Sequence, residues 1–183
     1  MSQTTILEVK EKAMLARGAL AAMNRLTTEQ KNRALIAMAD ALVRERDAII
    51  AANREDLARG EANGTSSSLL DRLKLDEKRI DAIADGLRQI VELPDPVGEV
   101  LETFERPNGL RIEKVRVPLG VIGMIYEARP NVTVDAAGLC LKTGNTVVLR
   151  GGSAAIDSNR RIVDVLRRAL AGTDVPPDAL QLI

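Results

Sequence analysis

Through the first ninety residues, apolar positions recur at helical spacing. Residues 4–24 carry Ile6, Leu7, Ala13, Leu20 and Met23 among charged side chains, which predicts a helix. Thr27 followed by Gln30 has the form of a capping box. Beyond it, Leu35, Met38, Ala39, Leu42 and Ile49 mark one face of a long helix that runs to about Leu57 and stops by Asn63-Gly64. Thr65–Ser68 reads as a polar loop. Asp76 caps a third helix, whose apolar positions Ile80, Ile83, Ala84, Leu87, Ile90 and Val91 hold the i, i+3, i+4, i+7 spacing until Pro94 and Pro96 end it. Such faces pack on a sheet.

From Gly98 the period shortens to two. Val100–Arg106 and Leu110–Val117 alternate apolar and charged residues around Pro107-Asn108-Gly109, a hairpin pattern with one wet face. Gly120–Tyr126 lacks alternation and reads as a buried strand. Pro130 keeps Arg129 out of helical conformation, and Asn131 is placed to cap a helix from Val132 that ends at Gly144-Asn145. Thr146–Arg150 is a second short strand. Two strands joined through a helix are parallel with a right-handed crossover. The loops Glu127–Asn131 and Gly151–Ser153 therefore share the sheet edge where open α/β folds bind ligands. Ile156, Ile162, Val163, Leu166 and Leu170 form one more helix, closed by Gly172, and Leu180–Ile183 begins a strand as the sequence stops, an ending that reads as truncated.

Charge sharpens this picture by exclusion. Basic and acidic residues number 26 each in 183, so no net field draws the chain to nucleic acid or to an anionic membrane. Histidine is absent and cysteine occurs once, which removes His-based catalysis, a His or Cys-cluster metal site and an intramolecular disulfide. A lone cysteine, no secretory leader and no apolar run of spanning length predict a cytoplasmic protein.

The motifs VPLGVIGMIYEARPNVTVDAAGLCLKTGN and VVLRGGS, with LLDRLKL and the hairpin at 98–117, resemble the γ-glutamyl phosphate reductase branch of the aldehyde dehydrogenase superfamily. YEARPNVT separates that branch from ordinary aldehyde dehydrogenases, which carry a Trp-Asn-Phe-Pro-type loop there. The resemblance covers essentially the whole chain, at the family's N-terminal, cofactor-binding part. It implies an α/β fold: a Rossmann-type parallel sheet with N-terminal helices, a protruding β-hairpin arm, and the catalytic domain absent from this chain. Residues 1–98 would be the helical part, 99–118 the oligomerisation arm and 119–183 the βαβ part. The implied reaction is NADPH-dependent reduction of L-glutamyl 5-phosphate to glutamate 5-semialdehyde, the second step of proline biosynthesis. In the family a cysteine thiolate displaces phosphate, and hydride reduces the resulting thioester. That nucleophile is expected beyond Ile183. Cys140, between Leu139 and Leu141 with no basic residue beside it, reads as packing.

For the cofactor, NADP(H), the resemblance implicates Ile125, Tyr126, Glu127, Arg150, Gly151, Gly152 and Ser153. Arg150 stands where the superfamily has a basic residue on the cofactor, and a guanidinium suits a 2′-phosphate. Ser153 stands where NAD-preferring relatives often carry an acid. Gly151-Gly152 let the backbone approach a ligand closely. Tyr126, Glu127 and Ala128 correspond to the loop beside the nicotinamide ribose; Ala128 replaces the oxyanion-stabilising Asn of ordinary aldehyde dehydrogenases. Arg129 and Asn131 are the substrate candidates. Arg129 has the substrate's carboxylate and phosphate as partners, and Glu127 its α-ammonium; alternatively Glu127 and Arg129 stabilise the loop itself. Two other readings remain: a self-contained, non-catalytic nucleotide-binding or self-associating module, and another aldehyde or acyl-phosphate dehydrogenase.

Overall fold

The computed structural model describes residues 3–183. Helix α1 (Gln3–Met23) precedes α2 (Thr28–Arg44), which begins at the capping box: Gln30 N donates to Thr27 Oγ1 at 3.3 Å and Thr27 N to Gln30 Oε1 at 2.8 Å. The expected long helix is broken once. Glu45 leaves helical geometry at φ −106°, ψ 18°, and α3 (Arg46–Ala62) follows. The break coincides with a change of main partner: α2 packs chiefly against α5, whereas α3 packs chiefly against α7 and also carries α4. The expected polar loop is shorter than 65–68, because Ser67 already opens α4 (Ser67–Leu73). Asp76 caps α5 (Glu77–Glu92) as its sequence predicts, accepting from Arg79 N at 2.9 Å.

Strands β1 (Val100–Glu105) and β2 (Arg111–Val115) pair antiparallel around the turn at 106–110, where Gly109 takes φ +83°. Every residue of both strands is exposed, so both faces of the ribbon are wet and not one alone. The sheet proper is parallel, in the order β3 (Val121–Ile125), β4 (Thr146–Arg150), β5 (Leu180–Leu182). Thr146 to Leu149 are all buried, although successive side chains point to opposite faces. β4 is therefore covered on both faces, with α1 and α6 (Pro130–Lys142) packed against it, while α7 (Ile156–Leu170) packs on the neighbouring β5. The expectation of a buried first strand fails. β3 is an edge strand, with Val121, Gly123 and Ile125 exposed and only Ile122 and Met124 packed on the core.

Helix α6 starts two residues earlier than expected. Arg129 is the N-cap, at φ −135°, ψ 91°, and Pro130 is the first helical residue, where its missing N–H costs nothing. Asn131 lies inside the first turn, and its amide donates to Asp135 at 3.2 Å rather than capping the helix. At the other end Gly144 adopts φ +73°, Gly144 N donates to Leu141 O at 3.1 Å and Asn145 N to Cys140 O at 2.9 Å, a Schellman stop. Asn145 Oδ1 then accepts from Gly120 N at 2.8 Å, which ties the end of α6 to the start of β3.

Candidate functional site

Pairing of Ile125 with Arg150 brings the carboxyl ends of β3 and β4 level, and Tyr126 N extends the ladder to Arg150 O at 3.0 Å. The two following loops meet directly. A Cβ on Gly152 would lie 3.3 Å from Ala128 N and 3.3 Å from the Glu127 carbonyl carbon, so Gly152 is the point where one backbone rests on the other. A Cβ on Gly151 would lie 2.2 Å from Asn159 Nδ2 and 3.2 Å from the Tyr126 ring. The glycine pair thus has a packing role that the sequence alone does not disclose. Ala128 offers this contact only its main chain.

Beneath the loops runs a buried polar chain. Tyr126 Oη and Thr133 Oγ1 are 2.6 Å apart, and Thr133 donates to Asn159 Oδ1 at 2.9 Å. Thr133 has one hydroxyl proton, which goes to Asn159, so Tyr126 is the donor to Thr133. Burial holds the Tyr126 phenol above its ordinary range, opposed by the Thr133 hydrogen bond. Asn159 Nδ2 is buried without a partner, directly behind Gly151. The Tyr126 hydroxyl is therefore committed to Thr133, and its ring supports Gly151.

Arg150, Ser153 and Ile125 stand outward from this support. Arg150 is exposed and has no ion pair among the described residues; its Nη1 donates to the Gly151 carbonyl. Ser153 is exposed and opens a short 3₁₀ turn, Ser153–Ala155. Ile125 is 85% exposed, an apolar side chain left at the strand end. Glu127 is exposed and forms no ion pair with Arg129; the loop is held instead by main-chain bonds from Arg129 N to Glu127 O at 2.9 Å and from Val132 N to Arg129 O at 3.0 Å.

The start of α7 holds a group that sequence reading passed over. Its N-cap position is Ala155, which has no side-chain acceptor. Asp56, from α3, supplies the cap across the fold: it accepts from Asp157 N at 3.2 Å, Ser158 N at 2.8 Å and Ser158 Oγ at 2.6 Å. Asn53, one turn earlier, donates to Leu73 O at 2.9 Å and Ser158 Oγ at 3.0 Å and accepts from Leu75 N at 2.7 Å. The signal was present in the sequence. Asn53 and Asp56 fall at i+4 and i+7 from Ile49, on its apolar face, where a buried polar residue requires partners.

Arg129 and Asn131 do not join the Arg150 group. They face a cavity of about 320 Å³ between α6 and the α4–α5 turn, shared with Asp71, Arg72, Lys74 and Arg79. Glu127 is not among the residues lining it.

Cys140 lies ten residues along α6 from Pro130, about 15 Å down the helix axis from the loops. Burial pushes its thiol up to about 11. At pH 8 only about one molecule in a thousand then carries the thiolate. Iodoacetamide is expected to label Cys140 far more slowly in the folded chain than in denaturant, read by intact mass against time. Equal rates would show an accessible, activated thiol.

The chain matches the aldehyde dehydrogenase family over residues 1–183. It is 53% identical over 176 residues to the γ-glutamyl phosphate reductase of Anoxybacillus flavithermus, covering 96% of this chain and 43% of that protein. With the Moorella thermoacetica γ-glutamyl phosphate reductase it shares 58% identity over 177 residues, covering 97% and 42%. The solved γ-glutamyl phosphate reductase of Thermotoga maritima superposes with TM-score 0.94 at 45% identity, covering 96% of this chain and 42% of that one. The Saccharomyces cerevisiae structure of the same name gives 0.90 at 32% identity, covering 100% and 46%. The chain thus spans about two fifths of the length of these relatives, in their N-terminal portion. By sequence and by fold, the chain belongs to the aldehyde dehydrogenase family.

Proposed function

We propose that this chain is the nicotinamide-cofactor-binding part of a γ-glutamyl phosphate reductase and that it selects NADPH. When bound, that cofactor supplies the hydride that reduces the acyl carbon of L-glutamyl 5-phosphate to the aldehyde, with release of phosphate. One observation carries the assignment. Arg150, at the end of β4, is an exposed guanidinium without a counter-ion among the described residues, next to a glycine pair and a neutral Ser153. Fixed cationic N–H groups fit a 2′-phosphate, and Ser153 brings no charge to repel it. The donor set is thus matched to the cofactor. Ile125 offers an apolar surface beside it, and Gly151 and Gly152 bring main chain to the same edge. Glu127 and Tyr126 hold the adjoining loop in register. Arg129 and Asn131, in their own cavity, are assigned to the substrate.

The exposed ribbon β1–β2 is assigned to self-association. A two-stranded ribbon is marginal alone, and Phe104 and Ile112, paired across it, are exposed. Among the described residues no helix is long and apolar enough to cross a membrane. With balanced charge and a single cysteine, this supports a cytoplasmic enzyme acting on a small molecule, without nucleic acid.

Arg150→Ala tests the cofactor assignment. Loss of charge-assisted hydrogen bonds is expected to weaken NADPH binding by roughly 10- to 100-fold, while NADH binding changes by less than about two-fold. Fluorescence titration of the reduced nucleotides reads both constants. An equal effect on the two would remove Arg150 from the 2′-phosphate. The reaction is tested by following NADP- and phosphate-dependent oxidation of glutamate 5-semialdehyde by the full-length polypeptide.

A further inference from the structure

LLDRLKL, residues 69–75, has so far been given no role in the reaction, yet the fold turns it toward Arg129 and Asn131. We propose that Arg72 and Lys74 complete, with Arg129, an anion pocket that holds the α-carboxylate of the substrate, the end remote from its reacting carbon. This deepens the reading of the chain as part of a γ-glutamyl phosphate reductase and rests on it.

The charge balance of the cavity motivates the assignment. Arg72, Lys74, Arg79 and Arg129 line it together with one carboxylate, Asp71. That carboxylate is already taken: Arg79 Nη2 bonds Asp71 Oδ1 at 2.9 Å. Arg72, Lys74 and Arg129 have no ion pair among the described residues. Three like charges gathered on one concave surface focus a positive potential that an entering anion relieves.

The turn carrying two of these cations is braced. Arg79 Nη1 donates to the carbonyls of Asp71 and, at 2.8 Å, of Lys74, so one guanidinium fixes both ends of the 71–74 segment. Arg79 is a positioning residue. From the opposite wall, the N-cap geometry at Arg129 and Pro130 in the first turn of α6 set the direction from which Arg129 enters. An apolar wall that includes Ile83 leaves room for a methylene chain. Planar guanidinium groups match a carboxylate in paired hydrogen bonds. The acyl phosphate, by contrast, must reach the Tyr126–Ala128 loop, because the family resemblance sets that loop beside the nicotinamide ribose.

The test is steady-state kinetics of the full-length polypeptide in the semialdehyde-oxidising direction, with Arg72→Ala, Lys74→Ala and Arg72→Lys. L-norvaline, which has the same amino-acid head and carbon chain without a reacting group, serves as a competitive inhibitor. In Arg72→Ala, KM for glutamate 5-semialdehyde and Ki for L-norvaline are both expected to rise about ten-fold or more. KM for NADP and for phosphate should stay within about two-fold, and Arg72→Lys should recover part of the loss. Lys74→Ala should show the same split with a smaller rise. Unchanged KM and Ki in both alanine variants would overturn the pocket while leaving the reductase reading intact. A parallel rise in all three KM values would also overturn it, since that is the mark of a displaced turn. Absence of semialdehyde turnover by the unmodified polypeptide would overturn the reductase reading itself and the pocket with it.

Discussion

Asp56→Ala is expected to lower the stability of the chain by about 3 kcal/mol, which for a domain of this size is roughly 6–12 °C in Tm. The magnitude follows from what the carboxylate does. It is fully buried and accepts from two main-chain amides at the start of α7 and from the Ser158 hydroxyl. Losing a helix cap costs about 1 kcal/mol. Leaving buried donors unsatisfied costs about 1–3 kcal/mol more. Arg59, the remaining partner of Asp56, is partly exposed, so it rehydrates and adds little. Asp56→Asn keeps an acceptor for Ser158 N and Ser158 Oγ, which share one oxygen, but presents an amide to Asp157 N and Arg59, and about half the loss is expected. Urea titration gives both values, with the slope m checking that unfolding stays two-state. A loss below about 1 kcal/mol for Asp56→Ala would mean that water replaces the carboxylate, and that the cap is not a structural tie between α3 and α7.

That tie shows where sequence reading stops. Caps written locally were legible: Thr27 with Gln30, Asp76, and the stop at Gly144 all stand where the residues indicate. The parallel pairing of β3 with β4 was legible too, because a strand, a helix and a strand in close succession permit little else. Three features were not. The break at Glu45 leaves no Gly or Pro in the sequence; it falls where the main packing partner changes from α5 for α2 to α7 for α3. The start of α6 was misplaced because Asn131 and Arg129 compete for the cap, and Pro130 at the first helical position decides for Arg129. The exposure of β3 depends on strand order, since an apolar run reads alike in the centre of a sheet and at its edge. At the candidate site the split was the same. Residue types pointed to Arg150 and Arg129, but that Arg129 lies on a separate surface follows only from the placement of the α4–α5 turn.

Gly151→Ala should have a large effect for a single methyl group, and a second substitution should reverse most of it. The added Cβ would fall 2.2 Å from Asn159 Nδ2, a side chain pinned by the Thr133 hydrogen bond at 2.9 Å and unable to swing aside without breaking it. The Tyr126 ring, 3.2 Å away, closes the other direction. Overpacking of this kind costs about 1–3 kcal/mol, and the upper end is expected here. The loop that carries Arg150 should shift with it, weakening NADPH binding. In an Asn159→Ala background the obstruction is gone. That substitution itself removes a buried amide N–H that has no partner, which offsets part of the lost bond to Thr133. The second methyl group should then cost less than about 1 kcal/mol, giving a coupling energy of about 2 kcal/mol in the double-mutant cycle. NADPH affinity should recover in the same order as stability. Additive losses in the two variants would show that Gly151 yields toward solvent, and that the contact with Asn159 does not hold the loop. Recovery of both together would show that the cofactor edge is set from behind, by the fit of Gly151 over a buried amide, as much as by the side chains that face the ligand.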